Sequence, residues 1–297
     1  MSRDAVCAFL LVIPLGLPGA ASAQQLTPPE REIALYPGVA PGSEHWNWSE
    51  RQVNSGSGVP MVQNVVRPVL QYYPAGKDQG VGTAMIVAPG GGFRNLMMSY
   101  EGVDIARRLN QMGIEAFILK YRLIYTDPTP QAPQAAAGGN RAGTAGPQAG
   151  QNLRELSGAD GQQAVRVVRG HAAEFGVRPD RIGMIGFSAG GAVTLAAVSG
   201  PEDARPSFAA PIYAAGAGSI SPPAGAPPLF IAVAADDQAV GYQGSLDLFS
   251  AWRKAGIPVE LHIFQTGQHG FGKKGGGADH FMDRLEEWLK VNGWLSK

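Results

Sequence analysis

The chain holds a single cysteine, Cys7, so an intrachain disulfide framework is excluded. Cys7 also lies inside an N-terminal apolar segment, which leaves no thiol nucleophile or thiolate ligand for a folded domain. Charge is scarce and balanced: 24 Lys and Arg face 24 Asp and Glu, and no run of one sign occurs. That argues against nucleic acid or an anionic membrane as partner. No apolar run after residue 23 is long enough to cross a bilayer, so no span is expected in the mature chain. Helical ligand pairs such as H-E-x-x-H are also missing, and neither a metal nor a cofactor is expected.

The chain does have a leader-like start. Arg3, the apolar run Ala5 to Leu17 and the triplet Ala21-Ser22-Ala23 read as a secretory signal peptide cleaved after Ala23. Pro14 interrupts the run, which is too short for a membrane helix. The expected mature protein is therefore exported, periplasmic or secreted. A Pro/Gly-rich N-terminal arm, 24–60, precedes a domain of 61–297, enough to bury one α/β-type core.

Within that domain, apolar strand-like runs alternate with helical spacing. Val62 to Tyr73 and Thr83 to Ala88 read as strands before any helix, expected to pair antiparallel at one edge. A helix over Val103 to Met112 stops at Gly113, as a glycine C-cap would stop it. Ile114 to Tyr121, Ile182 to Phe187, Phe208 to Tyr213, Leu229 to Ala234 and Val259 to Phe264 are further strands. Helical stretches at 156–175, 246–255 and 279–295 separate or follow them. Such alternation predicts βαβ units, a mostly parallel central sheet and helices on both faces. The stretch 126–152 has no aliphatic residue larger than Ala and four prolines, and reads as a flexible insertion.

The chemistry begins at Gly186-Phe187-Ser188-Ala189-Gly190-Gly191, a G-x-S-x-G turn between an apolar strand and an apolar helix. This is the layout of a nucleophile elbow, which presents a serine hydroxyl above a sheet. In a chain with 41 glycines the motif alone is weak, and other strand ends must supply its partners. A serine hydroxyl needs a base. Of five histidines, only His269 sits in a loop after the last strand, between Gly267 and Gly270. The acid is expected after Leu229 to Ala234, where Asp236 and Asp237 are adjacent. Asp237 is preferred because it opens a D-x-x-V pattern with Val240, leaving Asp236 to point away or to stabilise the turn. Pro89-Gly90-Gly91-Gly92-Phe93 follows another strand. There the amides of Gly91 and Gly92, with that of Ala189, are candidate donors to an oxyanion. No G-K-[ST] follows these glycines, which argues against a phosphate loop.

The order Ser188, Asp237, His269 is that of α/β-hydrolases. From about Ala34 onward the chain resembles exported bacterial α/β-hydrolases of the acetylxylan esterase and feruloyl-esterase-like group. The resemblance rests on Leu35-Tyr36-Pro37-Gly38, the Pro89–Phe93 loop with Glu101-Gly102, Leu119-Lys120-Tyr121-Arg122-Leu123 and Asp160 with Ala164-Val165-Arg166. It extends to the elbow, Glu260-Leu261-His262 and His269-Gly270-Phe271-Gly272. It implies an α/β-hydrolase fold, a triad of Ser188, Asp237 and His269, and acyl esters on small molecules or oligosaccharides as substrates. Two other readings share parts of this pattern: a serine peptidase of the prolyl-oligopeptidase type, and an inactive carbohydrate-binding relative. Trp46 and Trp48 in the arm are expected to plug an apolar groove rather than to offer a platform for a sugar ring.

Overall fold

Short runs of β-branched and apolar residues set the strands, and in the computed structural model the central ones lie wholly inside. Residues 26–127, 152–271 and 277–296 are described. The proposed signal peptide and nearly all of the 126–152 insertion lie outside these residues. From the arm come β1 (Arg31–Ala34) and β2 (Arg51–Asn54), then β3 (Pro60–Gln63) and β4 (Val69–Tyr73). Next come β5 (Ala84–Ala88), the two-residue β6 (Asn95–Leu96), α1 (Asp104–Gln111) and β7 (Glu115–Lys120). The second half holds α2 (Leu153–Gly170), β8 (Ile182–Phe187), α3 (Ala189–Val198), β9 (Phe208–Ile212) and β10 (Leu229–Ala234). It closes with α4 (Gln243–Lys254), β11 (Val259–Phe264) and α5 (Phe281–Val291).

Eight strands make one sheet in the order β1-β4-β7-β5-β8-β9-β10-β11. From β7 to β11 every pairing is parallel. Each of β5, β7, β8, β9 and β10 is buried along its whole length, as strands covered on both faces must be. Side-chain alternation on β8 separates the two faces: Met184 lies beside Gly161 of α2, whereas Phe187 packs edge-on against Phe281 of α5. On the α5 face, Arg108 of α1 bonds to both Asp283 and Glu286 at 2.9 and 2.7 Å. The fold is that of an α/β-hydrolase.

Two expectations need correction. Val62 to Tyr73 is not one strand. Asn64 takes a left-handed φ of 59°, and Pro68 cannot donate to a ladder, so β3 and β4 part there into different sheets. β3 joins β2 and β6 in a small antiparallel sheet. The antiparallel edge is also composed differently. β4 pairs with β7 and β1, while β5 sits in the centre between β7 and β8.

The arm is bound into this frame. Leu35 is buried in the core, and β1 extends the sheet. Trp46 is buried and stacks on Trp48 at 4.8 Å, which meets Tyr125 at 5.2 Å. The two ends of the insertion are anchored as well. The Thr126 amide donates to Asn64 Oδ1 at 2.7 Å, and Asn152 Oδ1 caps α2 by accepting from the Glu155 amide. Among the described residues, no helix is long and apolar enough to cross a membrane.

Candidate active site

Because β5, β8, β10 and β11 run parallel, their C-terminal ends lie along one edge of the sheet. That is the edge at which open α/β sheets bind ligands. Ser188 follows β8 directly, with φ 52° and ψ −112°, a backbone conformation that a residue with a side chain adopts only under constraint. The constraint is visible. The Ser188 amide donates to Ile212 O at 3.1 Å, and its carbonyl accepts from Ala192 and Ala215 at 3.2 and 3.0 Å. The flanking glycines are required by space: a Cβ on Gly190 would stand 2.0 Å from Ala88 O, and one on Gly186 2.2 Å from Gly190 O.

Asp237 and His269 arrive from the ends of β10 and β11. Asp237 Oδ1 accepts the amides of Ala239 and Val240 at 2.8 and 3.1 Å, an Asx turn that buries the carboxylate and explains the D-x-x-V spacing. Its other oxygen, Oδ2, lies 2.8 Å from His269 Nδ1. A carboxylate can only accept here, so Nδ1 carries the proton and Nε2 offers its lone pair. Nε2 is 2.9 Å from Ser188 Oγ, the distance at which the hydroxyl donates to it. Asp236 does not point away: its Oδ1 accepts the Gln268 amide at 2.7 Å, one residue before the imidazole.

The glycine loop after β5 turns back over the elbow. Gly91 and Gly92 have φ 132° and 64°, and a Cβ on Gly91 would meet Asn95 O at 2.2 Å. The amides of Gly91, Gly92 and Ala189 donate to no group among the described residues. Backbone N–H groups without an internal partner are the kind of donor that a developing oxyanion requires.

A serine, an imidazole and a carboxylate thus stand in one hydrogen-bonded line at the strand ends, and comparison with known proteins gives the class of the chain. The model of the dienelactone hydrolase family matches residues 132–297, more than half of the sequence. The chain belongs to the dienelactone hydrolase family. Within the wider set of relatives, it is 26% identical over 247 residues to an acetylxylan esterase of Xylanibacter ruminicola. That match takes in 70% of this chain and 45% of the relative, so the chain spans about half the length of the curated protein it matches. Among solved structures, an acetyl ester-xyloside bifunctional hydrolase from Caldicellulosiruptor lactoaceticus has a TM-score of 0.63 at 22% identity, covering 91% of this chain and 99% of that one. A propionate-bound thermophilic esterase from Thermogutta terrifontis has a TM-score of 0.60 at 22% identity, covering 86% and 97%. At these identities the two structures establish shared fold.

Other features of this dienelactone hydrolase family member were not assigned roles by sequence reasoning. Glu101 stands on a π-helical turn, Ser99–Val103, that leads into α1. It is buried beneath the glycine loop, with Oε2 accepting the Gly90 amide at 2.7 Å and Oε1 accepting the Tyr213 hydroxyl at 2.8 Å. Burial pushes its carboxyl above the usual range, while the bonds from Tyr213 and Gly90 pull it back. Tyr213, itself at a left-handed φ of 34°, packs edge-on to the His269 ring at 5.1 Å. Burial and the Glu101 charge hold its phenol protonated, so it remains a donor. The available signal was a carboxylate in a mostly apolar stretch just before a helix.

A cleft of about 710 Å³ lies elsewhere, bounded by Leu26, Pro28, Met61, Tyr73 and Met98, and contains none of these residues. Ser188 is half-buried at the open edge of the sheet instead. Among the described residues, no group of three or more His, Cys, Asp or Glu could hold a metal ion.

Proposed function

We propose that this protein is a serine carboxylesterase that removes acetyl or other small acyl groups, with acylated carbohydrate of the xylan type as its substrate class. The observation that carries the reading is His269 bridging Asp237 and Ser188 at 2.8 and 2.9 Å. Ser188 Oγ attacks the ester carbonyl while His269 Nε2 takes its proton. Asp237 holds the imidazole in the tautomer needed and stabilises the imidazolium that forms. The amides of Gly91, Gly92 and Ala189 receive the oxyanion. The tetrahedral intermediate collapses to an acyl-enzyme as His269 delivers the proton to the leaving alkoxide. Water, activated by the same imidazole, then attacks the acyl group, and Ser188 is restored. The similarity to an acetylxylan esterase supports the choice of acyl group and alcohol. The leader-like N-terminus supports export, with 24–60 as an arm and 61–297 as the catalytic unit.

The experiment compares wild type with Ser188→Ala on p-nitrophenyl acetate, acetylated xylo-oligosaccharide, methyl ferulate and a peptide amide. Turnover on the acetyl esters, falling to background in the variant, is expected. Absence of turnover on every ester would refute the esterase reading, and equal rates in the variant would remove Ser188 from the role. Cleavage of the amide alone would favour the peptidase.

A further inference from the structure

Glu101 is 4% exposed, and among the described residues no Lys or Arg pairs with it. Burying a carboxylate with no Lys or Arg against it is costly, and an apolar side chain would fill the same space more cheaply. Buried ionisable groups with specific partners cluster at functional sites. Both of its oxygens are occupied, each by a different partner.

One partner is Gly90, whose amide is the one the carboxylate takes, leaving those of Gly91 and Gly92 free. Gly90 is wedged against the elbow, since a Cβ there would stand 2.8 Å from Phe187 O and 3.1 Å from Ser188 Cβ. The other partner is Tyr213, whose ring contacts His269 and also Phe271 at 4.8 Å. Tyr213 lies 112 residues from Glu101 in sequence, so this one carboxylate joins the end of β9 to the loop after β5. The π-helical turn at the start of α1 carries it there, and such turns are frequent at functional sites.

We propose that Glu101 is a positioning residue for the reaction assigned to Ser188. Its carboxylate locks the Gly90 peptide to the Tyr213–His269 contact, so that the oxyanion amides and the base keep one spacing throughout the reaction. The inference rests on the Ser188–His269–Asp237 reading. Preorganised donors accelerate a reaction because they need no rearrangement as charge develops. Removing the lock therefore lowers kcat and leaves ground-state binding, and so KM, nearly unchanged.

The test measures kcat and KM on p-nitrophenyl acetate for wild type, Glu101→Ala and Glu101→Gln, each normalised to sites titrated by a fluorescent phosphonate. In Glu101→Ala, kcat per titrated site is expected to fall about 10²-fold, as when an oxyanion donor is lost, with KM within about threefold. In Glu101→Gln, which keeps an acceptor for the Gly90 amide, most of that loss is restored. Wild-type kcat per site in Glu101→Ala, or a Glu101→Gln variant equally impaired, would overturn the inference. If Glu101→Ala yields no titratable sites, Tyr213→Phe decides, because it keeps the ring on His269 and frees one carboxylate oxygen. A kcat loss of about three- to tenfold at constant KM, the scale of one hydrogen bond, is then expected, and unchanged kcat overturns the proposal. Mass analysis of the labelled wild type separates the two layers. Phosphonate on a residue other than Ser188 refutes the nucleophile assignment and the inference with it.

Discussion

Asp236 and Asp237 are adjacent in sequence and hold adjacent residues of one loop. Asp236 Oδ1 accepts the Gln268 amide at 2.7 Å, and Asp237 Oδ2 meets His269 Nδ1 at 2.8 Å. The loop they hold is strained, with left-handed φ of 57° at Gln268 and 51° at Phe271, on either side of His269 and Gly270. Backbone in that region persists only where its surroundings over-determine it.

The pair should therefore separate by mutation. Asp237→Asn puts an amide opposite Nδ1, which favours the wrong imidazole tautomer, and kcat is expected to fall by about 10³–10⁴-fold. Asp236→Ala removes one hydrogen bond from the loop, on the order of 1 kcal/mol. A roughly three- to tenfold loss of kcat/KM follows, and Asp236→Asn, which keeps an acceptor oxygen, recovers it. Steady-state kinetics on one acetyl ester measures all three. If Asp236→Ala proves as damaging as Asp237→Asn, the division of labour between them is wrong.

Arg122 and Asp160 give a prediction about stability. The pair is buried, with side chains 1% and 0% exposed. The guanidinium also donates to Pro41 O, Ser43 Oγ and Leu156 O, tying the arm to the ends of β7 and α2. Asp160→Asn leaves the cation without its counter-charge inside the protein, at a cost of about 3–5 kcal/mol. Urea denaturation should show that loss, while kcat of the folded enzyme stays within about twofold. Arg122→Met combined with Asp160→Leu should regain a large part of it. A double variant as unstable as Asp160→Asn would mean that the arm contacts, rather than the charge, set the cost.

How far the sequence disclosed this architecture depended on the range of the interaction. Ser188 was readable because an elbow is local: a strand, a turn that needs glycine at 186 and 190, and a helix follow one another. Asp237 and His269 were readable because parallel strands deliver their C-terminal ends to one edge, so the residues after β10 and β11 fall near Ser188. Glu101 had no assigned role, because what it does depends on Tyr213, a partner no spacing rule connects to it. Asp236 was left between two roles for the same reason, its partner Gln268 lying in another loop. The order of β4 and β5 was misread because both precede the first helix. A strand's place in a sheet is fixed by its crossover, and β7 inserts between them only after α1 has been traversed. β1 and β2 went unnoticed because four-residue strands in a Pro/Gly-rich arm carry almost no periodicity.

The buried carboxylate of Glu101 also sets a pH dependence. Burial raises its pKa, against the bonds from Tyr213 and Gly90 and the His269 charge, which lower it. An acid whose folded-state pKa lies above its unfolded value favours folding when protonated. That contribution is complete below the unfolded pKa and is lost as pH rises through the folded one. Glu101→Gln stays neutral throughout. Its stability relative to wild type should therefore be least favourable near pH 4 and improve as pH rises, levelling once Glu101 is ionised in the folded protein. The other titratable groups around Glu101 are Tyr100, Tyr121, Tyr213, His269 and, beyond Tyr213, Asp237. Tyr100 is pushed up to about 12 by burial, and burial raises Tyr121 and Tyr213 further, so the phenols do not titrate in this range. Repeating the series in a His269→Asn background removes the imidazole from the comparison. Denaturation midpoints from pH 4 to 8 measure the difference, and an offset between the two proteins that is constant with pH would show that Glu101 does not change its ionisation on folding.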